Sequence, residues 1–274
     1  MKFQICLQFC FLGKRKDMKQ KIKYILIVLL IVQLVTVWTF AEEDDIKECH
    51  SSFCGAREAT VEQMAYWAEK AQTIHREPRR TLEEAKAAAA AINGTRGWIY
   101  VIGPNYYYPQ ETSYSCGPAC IRMMLKRITG VNYSEQTIRT ACYCSSWYGT
   151  FLSDMISYAN SVLAAYSEEE YFYLAGYQAS KTTMRNQLYA GIVQNDMPPI
   201  IAINESVSSV WPYPAMLSHY VLVDAVTENA DSFRIWEPWA GYIQDSGWEN
   251  KTNFIVSCDD LYDAYSGTNA GYMY

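Results

Sequence analysis

The chain has 274 residues, is half hydrophobic and 15% aromatic, and carries a formal net charge of −6. Such a composition supports a sizeable core and argues against disorder over most of the length. Seven of the 23 basic residues precede Ala41 with one acid, which leaves 16 bases against 28 acids beyond it, so nucleic acid is disfavoured as a partner.

Residues 1–41 read as a signal peptide or membrane anchor. A basic flank, an apolar run from Tyr24 to Phe40 and an acidic stretch from Glu42 follow one another, and Thr39-Phe40-Ala41 suits peptidase recognition. The run is close to the ~17-residue lower limit for spanning a bilayer, so an uncleaved anchor is the alternative and the only membrane contact expected. Either way the rest of the chain faces the secreted or extracytoplasmic side. In that setting Cys49, Cys54, Cys116, Cys120, Cys142, Cys144 and Cys258 should pair in disulfides. Cys49 and Cys54 are spaced for a local bridge; the other partners stay open, and an odd count leaves at least one thiol free. No Cys/His spacing resembles a zinc site, and no metal or cofactor is expected.

Residues 42–97 read as a helical arm or pro-region. Thr60 with Gln63 and Thr81 with Glu84 form capping boxes for two helices that Pro78 separates, and Gly94 stops the second. Arg96 is the only basic candidate for processing behind them. From residue 98 to 274 a single domain follows. Trp98–Ile102 reads as a strand broken by Gly103-Pro104-Asn105. A helix is predicted from about Gly117 to Gly130, a short one capped by Ser134 to Ala141, and one from about Phe151 to Leu163. The run "YFYLAGY" is strand-like. Thr182 is the expected cap of a helix to about Asn195. "PPIIAIN", "HYVLVDAV" and "SFRIWEP" are β-type runs, and "CDDLYDAY" is a last short helix with Asp259 and Asp260 in its first turn. Helices come first and strands later, which gives an α+β class.

One stretch calls for chemistry. In "QETSYSCGPACIRMML", Cys116 stands directly before a helix, where unpaired backbone N–H groups and the positive end of the dipole favour thiolate. Gly117 leaves room beside the sulfur, and Pro118 is accepted in a first helical turn. The basic partner should be His219, the one histidine downstream, at the entrance of an apolar strand. A core histidine is the bland reading of His219 taken alone. An imidazole base needs an acceptor to fix its tautomer. Asp224 falls on the other strand face and Asp231 lies in the turn, whereas Glu237 ends the antiparallel partner strand and comes back beside His219. Gln110 is then the side-chain donor of an oxyanion hole, with the backbone N–H of Cys116 as second donor.

Gln110-x5-Cys116-Gly117-Pro118-Ala119, then His219-Tyr220-Val221 in a strand, then an acid before a proline, resembles the C-thirty-nine-like peptidases. These are papain-like cysteine peptidases related to bacteriocin-processing, double-glycine leader peptidases. The resemblance runs from about Tyr107 to Tyr265. It implies a papain-like fold, with a helical lobe packed on an antiparallel sheet. It also implies Cys116 as nucleophile, His219 as base, Gln110 at the oxyanion, and a peptide or protein substrate. The family usually has Asp or Asn where this chain has Glu237. With its export-type start, the chain resembles the exported branch of the family. Two further classes share the scaffold: an acyltransferase that resolves the same acyl-enzyme with an amine or thiol, and a peptide-binding module without catalysis, which a Cys116–Cys120 disulfide would favour.

Overall fold

The computed structural model describes residues 55–74, 76–93, 97–101, 106–167, 172–213, 218–240 and 251–274. The targeting segment, the Cys49–Cys54 bridge, the Gly94 stop and the Gly103–Asn105 break lie outside these residues. In chain order the elements are β1 (Ala56–Arg57), α1 (Val61–Thr73), α2 (Leu82–Asn93), β2 (Trp98–Tyr100), α3 (Cys116–Thr129), α4 (Glu135–Ala141), β3 (Thr150–Phe151), α5 (Leu152–Tyr166), β4 (Ala175–Gly176), α6 (Lys181–Val193), β5 (Ile200–Ile203), β6 (His219–Thr227), β7 (Ser232–Trp236), β8 (Asn253–Ser257), α7 (Cys258–Ser266) and β9 (Tyr272–Met273). The class is α+β, as expected.

Local chemistry accounts for most boundaries. Both capping boxes close: Thr60 and Gln63 bond reciprocally, as do Thr81 and Glu84. The helix after Cys116 begins one residue earlier than predicted and ends where Gly130 takes a left-handed conformation, φ 72°. Ser134 caps α4 through the Thr137 amide. Before α6 the cap is Ser180, not Thr182; its hydroxyl accepts from the Thr183 N–H. Among the described residues of "YFYLAGY", Ala175–Gly176 is strand. The strands β1, β3, β8 and β9 were not expected. The first two contain two residues each, and β8 ends the sheet with Ile255 exposed.

The main sheet has seven strands in the order β4-β9-β5-β6-β7-β8, with β2 pairing β6, and every pair is antiparallel. Its central strands are buried on both faces, so they read as continuous apolar runs without alternation. Ile200, Ala202, Tyr220 and Leu222 pack with α3 and α5, whereas Ile201, Ile203, Val221 and Val223 pack with α6 and α7. A bulge between Val223 and Ala225 shifts the register, and beyond it Val226 joins the second core despite its even number.

The bulge sets Asp224 between two guanidinium groups. Arg127 of α3 donates to its Oδ2 (2.5 Å), and Arg234 of β7 donates to Oδ1 and Oδ2 (2.8 and 2.7 Å). Arg127 also lies over the Trp236 ring at 4.8 Å. This trio fastens the cysteine-bearing helix to the sheet. The arm is docked as well. Arg80 donates to the carbonyls of Val193, Ile192 and Tyr100 and pairs with Asp196. Ala85 of α2 enters the core on the face opposite Cys116. Gln63 of α1 reaches Ser153 at the head of α5.

Removing one member of a buried ion pair strands its partners' charge. Asp224→Ala should therefore lower the unfolding free energy by about 3–5 kcal/mol, measured by denaturant titration.

Candidate active site

Three segments that are distant in sequence converge at one end of the sheet. Cys116 is the first residue of α3, and His219 is the first of β6. Glu237 follows the last residue of β7, and the β6–β7 register sets Trp236 opposite Leu222, which brings Glu237 back toward the His219 end. All three are buried. His219 has the parity of Val221, on the face away from α3, yet its side chain bonds the Cys116 thiol. It can do so because a first residue at the sheet's end reaches past the edge of either face.

His219 Nε2 lies 2.5 Å from Glu237 Oε1, which also accepts from the Trp239 N–H at 2.9 Å. That bond occupies Nε2, so the thiol contact falls to Nδ1. The Trp239 ring stands edge-on to the imidazole, 6.4 Å between centroids. Burial works against the imidazolium, but the Glu237 carboxylate and the Cys116 sulfur outweigh it and hold His219 well above the ordinary histidine range. The backbone N–H of Tyr220 donates to the Cys116 sulfur at 3.4 Å. A proton acceptor, a sulfur and an orienting acid are thus in one hydrogen-bonded line.

Asp224 and Asp231 are elsewhere: Asp224 is bound by arginines, and Asp231 bonds Asn229 in the β6–β7 turn. Gln110 is buried, and its backbone N–H donates to the Pro238 carbonyl (2.8 Å), which ties its loop to the Glu237 segment. Its side-chain nitrogen donates to the Thr112 carbonyl at 2.6 Å, and its Oε1 is buried without a donor. The amide was expected to face the sulfur; one of its two N–H groups is committed to Thr112 instead.

The expected disulfides of Cys120, Cys142, Cys144 and Cys258 do not form: these four and Cys116 are free thiols. The odd count therefore does not single out Cys116. What does is its neighbour. Burial pushes Cys120 and Cys142 far up, Cys144 up to about 12 and Cys258 up, which keeps them neutral. Cys120 and Cys144 each sit against a backbone carbonyl, of Tyr220 and Tyr114.

Sequence reasoning missed two buried acids. Glu205 follows β5 in a short 3-10 turn, and its Oε2 accepts from the Tyr213 N–H at 2.9 Å. Its other oxygen and Glu237 Oε2 are both buried without a donor, and the two side chains bond one another. A single proton between the carboxyls satisfies both. Burial first, and the Glu237 charge next, hold that proton on Glu205 by raising it well above the carboxylate range. Glu205, His219 and Glu237 have donor atoms within 4.8 Å of one another, the spacing of metal ligands, but the shared proton and the His219 bond already use those atoms. The second acid, Glu135, is the first residue of α4. It accepts from the Glu111 N–H (2.9 Å) and bonds Ser115, so it joins the Gln110 loop to the start of α3. Burial raises it to about 7. Neither acid has a local signature: "INESVSS" reads as a solvated turn, and Glu135 as an ordinary acid in the first turn of the helix that Ser134 caps.

Two expectations follow. Glu205→Gln keeps a donor toward Glu237 and an acceptor for Tyr213, so its stability should match the parent, whereas Glu205→Ala should lose about 1–3 kcal/mol in denaturant titration. Glu135 holds its proton to about pH 7 when folded and loses it near 4.5 when unfolded, so its contribution is lost as pH rises through that window. Thermal melts should show Glu135→Gln gaining on the parent between pH 4.5 and 7, with the difference flat above.

The comparisons with known proteins bear on this geometry. No curated protein matches the chain. Among solved structures, the peptidase domain of Streptococcus ComA, a bi-functional ABC transporter involved in a quorum sensing pathway, is 17% identical and covers 62% of this chain and 97% of its own, at a TM-score of 0.40. A double glycine motif protease from an AMS/PCAT transporter, solved with a leader peptide, is 14% identical over 65% of this chain and 93% of its own, at 0.40. The proform of Amb a 11, a ragweed pollen cysteine protease, is 10% identical over 80% of this chain and 76% of its own, at 0.41. The model of the Peptidase_C39 like family matches residues 105–267, a span that holds Gln110, Cys116, His219 and Glu237 and exceeds half of the chain; the protein belongs to the Peptidase_C39 like family.

Proposed function

We propose that this protein is an exported cysteine peptidase that hydrolyses a peptide or amide bond. One observation carries the reading: of the five free thiols among the described residues, Cys116 is the one bonded to an imidazole that a buried carboxylate holds from behind. Cys116 is the nucleophile, His219 the base and then the acid, and Glu237 the group that fixes the ring. Sulfur attacks the substrate carbonyl carbon. The imidazolium gives its proton to the leaving amine, and water then resolves the thioester while His219 takes its proton. Two donors are available for the oxyanion: the Cys116 backbone N–H and the N–H of Gln110 that Thr112 leaves unused. The apolar run behind a basic flank supports export.

The test is an irreversible thiol-directed peptidase probe, with the modified residue mapped by mass spectrometry. Cys116 should be labelled and the four neutral thiols spared. His219→Ala should slow labelling at least ~10²-fold, and Glu237→Gln should cost less, because its role is orientation. Gln110→Ala should lower kcat by roughly 10²–10³ without preventing labelling. Labelling that ignores His219, or that spreads over Cys120, Cys144 and Cys258, would refute the reading.

A further inference from the structure

The site is closed, and the segment beside it belongs to this chain. Gly55, Ala56 and Arg57 pass between two walls. On one side Ala56 N–H donates to the Ser218 carbonyl (3.3 Å), and the Ser218 hydroxyl donates back to the Ala56 carbonyl (2.5 Å). Ser218 immediately precedes His219. On the other side the Thr150 N–H donates to the Gly55 carbonyl (2.7 Å), and Ala56–Arg57 pairs with Thr150–Phe151 as a short parallel strand. Ala56 is fully buried, in the same core cluster as Cys116.

Position 55 admits only glycine. Its φ is +98°, and a Cβ there would lie 2.1 Å from the carbonyl oxygen of Tyr114, two residues before Cys116. From the opposite side Gly149 approaches so closely that its own Cβ would meet the Gly55 carbonyl oxygen at 1.9 Å. Past Ala56 the chain widens: the Arg57 guanidinium lies over the rings of Phe151 and Tyr148, at 3.7 and 4.5 Å. A strand whose purpose was packing would bury large apolar side chains. This one presents glycine and alanine, and main-chain bonds on both edges hold it, which is how an extended peptide is held in a recognition cleft.

We infer that residues 55–56 occupy the acyl side of the cleft as a substrate and that the enzyme cuts its own chain between Ala56 and Arg57. The inference rests on the peptidase reading above. Cys116 sulfur bonds to the Ala56 carbonyl carbon, the carbonyl oxygen passes from the Ser218 hydroxyl to the Cys116 and Gln110 N–H groups, and the Ala56–Arg57 C–N bond breaks. His219 passes the thiol proton to the Arg57 nitrogen, which becomes the new amino terminus. Water then adds to the thioester and gives up a proton to His219. Ala56 leaves as a carboxylate, and that proton restores the thiol. Because the segment is covalently part of the enzyme, the step is unimolecular. It separates the domain from residues 1–56, which include the apolar run, and it frees the acyl side of the cleft for other substrates. It also replaces Arg96 as the processing point.

The full chain and its Cys116→Ala form should be purified in parallel and followed by intact mass and amino-terminal sequencing. The parent should convert to a chain beginning at Arg57, with a rate constant unchanged over a hundredfold range of protein concentration. The Cys116→Ala form, which loses little volume and keeps the fold, should stay whole. Gly55→Val should slow conversion at least ~10²-fold, the effect of displacing a reacting bond by about 1 Å. Three results would overturn the inference: a parent that stays uncut while Cys116 takes the probe, cutting that persists in Cys116→Ala, or a rate constant proportional to concentration. The first leaves the peptidase reading standing. A parent that neither cuts nor takes the probe removes both.

Discussion

The buried bond between His219 Nε2 and Glu237 Oε1 is the interaction around which this end of the protein is organised. Neither group is tolerable there alone, because an imidazolium or carboxylate taken out of water needs a partner. Their meeting depends on the register of β6 against β7. A slip of one residue would turn Glu237 to the other face and leave both groups unpaired. The register is fixed in turn by the two-sided core and by the Asp224 trio, which also anchors α3. Position of Cys116, position of His219 and stability of the sheet are therefore one problem with one solution.

Around that bond the polar groups divide their labour by where protons sit. Glu237 turns one carboxylate oxygen toward His219, and Glu205 keeps a proton that satisfies the oxygen behind. Of the five described cysteines, burial keeps Cys120, Cys142 and Cys144 neutral, whereas Cys116 is bonded to the His219 imidazole.

The arm divides its docking between two places. Arg80 and Ala85 tie α2 to the sheet face opposite Cys116, whereas α1 reaches the head of α5 through Gln63. Between β1 and α1 only residues 58–60 intervene, so whatever fixes α1 also fixes Ala56. The docked arm and β1 are mechanically one piece.

Much of this was legible without coordinates. The capping boxes, the Gly130 stop, the Ser134 cap and the continuous apolar runs of β5 and β6 are short-range patterns, set by helix ends and by burial on both strand faces. That Cys116, His219 and Glu237 meet was legible for another reason: the two β-type runs after His219 form a hairpin that returns Glu237 to it. Other features came only from the tertiary structure. Thr182 is the cap the sequence offers for α6, and in the fold Ser180 takes that place. The export-type start suggested bridges, but pairing depends on distances that the sequence does not encode. Glu205 looks like a solvated turn residue, and Glu135 like an exposed acid of a first helical turn, until the sheet and helices close over them. The Gln110 amide bond to Thr112 rests on loop geometry. Gly55-Ala56 carries almost no side chain, so no hydrophobic period marks it; its place between Ser218 and Thr150 is set by backbone hydrogen bonds between segments that meet only when the chain has folded.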